Sequence, residues 1–241
     1  MTSVMTSPTS TTSDRAPRTT AELREHARAV YDPLVHHEFP LRLATGVLPP
    51  ERFRFYVTQN LLYLPDYARM LASGAARAQD DATLTSFARS VMNIVDVEIP
   101  QNERLRDAVV ELAGPVPEAE TVKAPATVAY TSWLLALAGS GDAADISAAL
   151  LPCAWSYGDI ARHLQSEVVD HPVYADWIAF FASDDYAAVV DGLRAAFDPE
   201  LAELTERKRA RLADIFVTGC RLERQFWDQG LHGTLWPDQT G

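Results

Sequence analysis

From Thr20 to about Gln229 the apolar residues recur every three or four positions, and nowhere do they alternate every second one. Glycine hairpins are missing as well, so a chain with this pattern folds as helices packed on helices. Proline and glycine supply the punctuation. Thr20 can cap a first helix with Leu23, Ala27, Val30, Tyr31 and Leu34 on one stripe, and the chain breaks around Phe39-Pro40 and residues 46–50. A second helix from Pro50 carries Phe53, Tyr56, Val57, Asn60, Leu61 and Leu64 towards Arg77, and Pro65 is expected to kink or split it. A third runs from near Ala82 to Ala113 and should kink or break near Ile99, before Pro100.

After a proline-rich loop, the pattern predicts a helix from Thr127 to Gly139 and another capped by the Gly139-to-Asp142 segment. His171-Pro172 opens a short helix with Tyr174, Trp177 and Phe181. Ser183 or Asp184 caps the next, which Asp198-Pro199 ends. The last helix is expected from Pro199 to about Gln229. Glu203 with Arg207 and Glu206 with Arg209 would pair on its solvent side, while Ile215, Leu222, Phe226 and Trp227 face inward. The expectation is an all-α bundle of about seven to eight helices.

The apolar fraction of 47% in 241 residues is ample for one large core, so residues 20–241 are expected to form a single domain. Residues 1–19, rich in Ser and Thr with no aliphatic run, are expected to be a disordered tail and not a secretory signal. With 21 Lys plus Arg against 33 Asp plus Glu, the formal charge of −12 argues against nucleic acid or an anionic membrane as partner. Two cysteines make no disulfide framework and no metal-type spacing, which suits a reducing cytoplasm. No metal and no cofactor is expected. His36 and His37, adjacent at a break, and Asp159 with His163, on one exposed face, are expected to be solvated or loop-bonding groups.

Cys153 lies one helical turn before Tyr157, and residues four apart on a helix differ by only about 40°, so the two look into the same space. Pro152 fits a helix's first turn, where the dipole would favour a thiolate at Cys153. Spacing alone leaves two readings open, a packed core thiol or a nucleophile.

Several stretches together resemble the TenA family, the thiaminase II or aminopyrimidine aminohydrolase group, over roughly residues 20 to 230. They are Glu51 to Gln59 running into Tyr63-Leu64, Ala129-Tyr130-Thr131-Ser132, Leu150-Leu151-Pro152-Cys153 with Trp155 and Tyr157, His171-Pro172 with Tyr174, Trp177 and Ile178, and Glu223 with Gln225-Phe226-Trp227. The resemblance implies a heme-oxygenase-like helical fold and a homotetramer or dimer acting on a small molecule. It implies that Cys153 is a nucleophile towards an aminopyrimidine ring and that Glu223 shuttles the proton, its pKa raised in an aromatic pocket. Tyr63, Tyr130 and Tyr157 fall on tyrosines that stack on or hydrogen-bond to the pyrimidine.

Three positions depart from the family pattern. Asn60 stands where an aspartate pairs with the ring, Phe181 where a further pocket tyrosine is frequent, and Asn102 where a histidine is common; Glu98 falls on a common glutamate. The resemblance therefore implies hydrolysis of thiamine breakdown products, with two alternatives: another small-molecule substrate in specialised biosynthesis, or a binding protein without catalysis. The di-iron oxidases of the same fold need a ligand set that the six histidines do not complete.

Overall fold

The computed structural model describes residues 15–239, and every regular element among them is helical. In chain order the α-helices are α1 (Thr20–His26), α2 (Arg28–Val35), α3 (Glu38–Ala44), α4 (Pro50–Arg77), α5 (Asp81–Asn93), α6 (Ile99–Ala113), α7 (Pro125–Ser140), α8 (Ala143–Leu164), α9 (Tyr174–Ala182), α10 (Asp184–Glu203) and α11 (Glu206–His232). Only Ala27 separates α1 from α2, and a π turn, Ile94–Glu98, joins α5 to α6 without a gap. The expected tail falls mostly on residues 1–14, outside the described residues. Arg18 donates from Nη2 to the Ala202 carbonyl at 2.9 Å, against the end of α10.

Helix α4 is the centre of the bundle, packed against α5, α6, α7, α8 and α11. At 28 residues it is about 42 Å long. It buries Phe53, Tyr56, Val57, Tyr63, Tyr67, Met70 and Leu71. Two polar residues of α4 pin the loop after α6. Arg54 grips Glu120 through two hydrogen bonds, at 2.8 and 3.2 Å, and Gln59 donates to the carbonyls of Glu120 and Val122. Gln59 Oε1 in turn accepts from Ala124 N and the Thr127 hydroxyl. Each of these buried polar groups is thereby satisfied, which is what allows a loop to lie on an apolar core.

Proline behaves differently from expectation at three places. Pro65 does not split α4, which is continuous from Pro50 to Arg77. Pro199 lies inside α10 and does not begin the last helix; Thr205 caps α11, its hydroxyl accepting from Lys208 N. Pro152 lies in the middle of α8, nine residues after the helix begins, so the positive end of the dipole is out of reach of Cys153. Near Ile99 the expected break takes the form of the π turn, with Pro100 seated in the first turn of α6.

Caps follow side-chain chemistry closely. Thr19, not Thr20, caps α1 by accepting from Glu22 N. Asp142 and Asp145 form a reciprocal capping box at the start of α8. Ser183 caps α10, and His37 Nδ1 accepts from Phe39 N to start α3 while Nε2 reaches Asp228 at 3.0 Å. The charge pairs foreseen on the last helix do not form. Glu203 belongs to α10, Arg209 is buried with Nη1 on the Leu204 carbonyl, and Lys208 and Arg211 turn to Asp145 of α8. The boundary at Thr205 puts Glu203 and Arg207 on different helices, and Glu206 loses its partner because Arg209 is buried.

Candidate active site

Two helices bring the thiol and the carboxyl together. Gly219 of α11 faces Pro152 of α8 so closely that a Cβ there would lie 2.6 Å from the proline ring. With the backbones this near, the next residue of α8 and the residue one turn along α11 meet. They are Cys153 and Glu223, whose side chains come near enough for each to influence the other's titration. Tyr130 of α7 donates its hydroxyl to Glu223 Oε1 at 2.7 Å. Helix geometry thus delivers three functional groups from three helices to one point.

The surroundings are aromatic and dry. Glu223 is 1% exposed, and burial drives its carboxyl up to about 7 although the hydrogen bond from Tyr130 and the neighbouring Cys153 thiol pull it down. Burial also pushes the Cys153 thiol well above its ordinary range, with the charges of Glu223 and Glu98 adding to it and Tyr63 opposing. The resting group is a thiol beside a carboxyl that titrates near neutrality, not a dipole-stabilised thiolate. The hydroxyls of Tyr63, Tyr130 and Tyr157 are driven well up by burial and remain donors.

On α4 the positions 56, 60, 63 and 67 form one stripe, stepping by four, three and four, and all four are buried. The Tyr63 ring lies 4.9 Å from that of Tyr130 and 5.8 Å from Phe226. Its hydroxyl faces the thiol and the Tyr130 hydroxyl but has no hydrogen-bond partner of acceptable geometry. Tyr157 accepts or shares a hydroxyl contact with Tyr56 at 3.3 Å, and Trp177 Nε1 donates to the same Tyr56 hydroxyl. Phe181 packs edge-on against Tyr157 at 4.9 Å. Asn60 donates to Asn102 Oδ1 at 3.0 Å, and Asn102 donates to the Glu98 carbonyl at 2.8 Å. The two departures from the family pattern on α4 and α6 are therefore partners, a neutral amide pair in the core.

Cys153 is half-buried, and its flank borders a small cavity of about 30 Å³, room for about one water. Of the residues singled out from the sequence for the site, only Cys153 lines this space; Asn60, Tyr63, Tyr130, Tyr157, Phe181 and Glu223 stand behind it in the packed aromatic wall. The lining that sequence reasoning missed is Tyr67, Asn93 and Tyr186, with Leu150 and Leu193 among the aliphatic remainder, and Glu98, noted in the sequence without a role, lines it too. Tyr67 could have been found as the next member of the α4 stripe. Its hydroxyl donates to the Leu150 carbonyl at 3.0 Å, as that of Tyr186 does to the Ala154 carbonyl. Among the described residues no group of three or more His, Cys, Asp or Glu side chains could hold a metal ion. Asp159 is bonded by Tyr31 and Arg24, and His163 meets the ring of His36.

The profile of the TENA/THI-4/PQQC family matches residues 24–233. An aminopyrimidine aminohydrolase from Halalkalibacterium halodurans is 34% identical over 219 residues, covering 90% of this chain and 96% of the relative. One from Bacillus subtilis is 32% identical and covers 90% and 91%. Among solved structures, a TenA family transcription regulator from Silicibacter sp. TM1040 superposes with a TM-score of 0.77 at 28% identity, over 90% of this chain and 97% of its own. Heme oxygenase-1 from Synechocystis shares the fold alone, with a TM-score of 0.57 at 14% identity over 87% and 90% of the two chains. The bundle is heme-oxygenase-like, and with the order of its motifs kept from α4 to α11 the chain belongs to the TENA/THI-4/PQQC family.

Proposed function

We propose that this protein hydrolyses the carbon–nitrogen bond of an aminopyrimidine of the kind released when thiamine breaks down, with Cys153 as nucleophile and Glu223 as proton carrier. The observation that carries the reading is the juxtaposition of thiol and carboxyl where α8 and α11 pack at Pro152 and Gly219, in a chain whose relatives from H. halodurans and B. subtilis are named aminopyrimidine aminohydrolases. A carboxyl that titrates at about 7 can take a proton and return it within one turnover at neutral pH.

In the first step the thiol proton passes to the Glu223 carboxylate as Sγ bonds to an electron-poor ring carbon. Glu223 then gives that proton to the departing amine as the exocyclic carbon–nitrogen bond breaks. Water adds to the carbon left behind, its proton going to Glu223, and expulsion of Sγ restores the ring and, with the proton returned, the thiol. Tyr130 holds Glu223 Oε1 in place throughout, and the high pKa of its phenol keeps it a donor. The same reading includes assembly as a homotetramer or dimer in the cytoplasm, and sedimentation as a monomer would remove that part.

Release of amine and hydroxymethylpyrimidine from aminomethylpyrimidine tests the reaction. Turnover by the native chain is expected, and Cys153→Ser is expected to lower it by at least a thousandfold with the fold intact. Unchanged turnover in that variant removes the nucleophile. The neutral Asn60–Asn102 pair favours a second reading, a substrate other than an aminopyrimidine on the same thiol and carboxyl. No turnover of aminomethylpyrimidine or thiamine by the native chain would select it.

A further inference from the structure

The cavity beside Cys153 has a carboxylate on its wall to which the proposed reaction assigns no task. Glu98 accepts one hydrogen bond, from Asn93 Nδ2 to Oε1 at 3.0 Å, and Oε2 takes none from the described residues. The groups that face it from neighbouring helices are Tyr67 of α4, Cys153 of α8 and Tyr186 of α10, none of them a cation. Burial drives its carboxyl up to about 7, with the hydrogen bond from Asn93 acting the other way. A half-buried carboxylate among phenols and aliphatic side chains without a counter-charge is incompletely solvated, and a ligand bringing N–H donors or positive charge would offset that cost.

The π turn is what aims it. Ile94 is buried at the start of the turn, Val95 and Val97 are exposed, and Glu98 at its end is half-buried on the wall of the cavity. Such turns widen a helix by one residue and recur at functional sites. A surface groove between α5 and α10 shares Ser90, Asn93, Val189 and Leu193 with the cavity, so the route from solvent to Cys153 passes Asn93 and Glu98.

We propose that Glu98 is a substrate-binding residue of this site, its carboxylate receiving a basic or N–H-bearing nitrogen of a small ligand that enters between α5 and α10 and comes to lie against Cys153. That the nitrogen belongs to an aminopyrimidine rests on the function proposed above. That Glu98 selects for such a group does not.

Two measurements on the full chain separate these statements. In a Cys220→Ala background, Cys153 is modified at pH 8.5 with trimethylammonium-ethyl methanethiosulfonate and with neutral methyl methanethiosulfonate, and the ratio of the two rates cancels the thiolate fraction. Glu98→Gln is expected to lower the cation-to-neutral ratio at least fivefold, and Glu98→Asp, which keeps the charge, to hold it within twofold. Should Glu98→Gln fail to fold, Glu223→Gln in the same background leaves Glu98 as the titrating carboxyl of the cavity, and the ratio must fall between pH 8.5 and 5.5.

In the second measurement, Glu98→Gln is expected to raise KM for aminomethylpyrimidine at least tenfold with kcat within threefold. An unchanged ratio, or a loss confined to kcat, overturns the assignment of Glu98. A lowered ratio in a protein whose native form does not hydrolyse aminomethylpyrimidine supports Glu98 and defeats the aminopyrimidine reading.

Discussion

Helices α8 and α11 meet along one seam, and each end of it buries a carboxyl in a different way. At the start of α8, Asp145 is bonded by Lys208 Nζ at 2.8 Å and Arg211 Nε at 3.1 Å. Burial pushes that carboxyl up, and the two cations more than reverse it, leaving it below its ordinary value. About three turns along α11 from Arg211, Glu223 has only a phenol and a thiol for company, and burial wins. One end is electrostatically complete and holds the helices together. The other is left incomplete, at a cost in stability, and keeps a proton that can move at neutral pH.

The largest expected effect falls on the incomplete end. Glu223→Gln keeps the shape and the Tyr130 hydrogen bond but cannot carry a proton, so kcat should fall about a thousandfold, equivalent to about 4 kcal/mol. A rate within tenfold of the native one would place the proton transfer elsewhere. Asp145→Ala should act in the opposite sense, costing about 3 kcal/mol in denaturant unfolding by leaving Lys208 and Arg211 unpaired and removing half of the capping box, with kcat nearly unchanged. If its loss is under 1 kcal/mol, the seam does not depend on that end.

The comparison sharpens with pH. Glu223 has its folded pKa raised from 4.5 to about 7, so the stability it contributes is fully present below 4.5 and is lost as pH climbs through 7. Glu223→Gln does not titrate there. It should match the native protein near pH 4 and exceed it at pH 8 by on the order of 3 kcal/mol at most. A constant difference at all pH values would mean that the carboxyl is not driven up by burial. The smallest effect belongs to the close approach itself. Gly219→Ala must displace Pro152, costing about 1–2 kcal/mol in thermal or denaturant unfolding after the better helix propensity of alanine is counted. A rise in Tm would show the seam to be slack.

Much of this could be read before the coordinates. The helical period gave the architecture, and Cys153 with Tyr157 shared a face because four residues make about one turn. What could not be read depended on tertiary context. Pro152 and Pro199 look like helix starts because local propensity places proline in a first turn, yet the capping by Asp142, Ser183 and Thr205 sets the boundaries instead. Glu98 stood out in the sequence only as the residue on a common family glutamate. Nothing in a 3.6-residue period signals that one turn is wider and brings that side chain onto the wall beside the thiol.

The π turn at Ile94–Glu98 also sets the rotational phase of everything that follows it along α6. Were the same residues to wind as ordinary α-helix from α5 into α6, with none removed, α6 would be turned by about 100° about its axis. Asn102, Leu105 and Val109 would then swing from the interior towards water. The wide turn is therefore a phase adjuster, and the amide pair at the back of the site and the carboxylate at its front keep their places only while the turn stays wide.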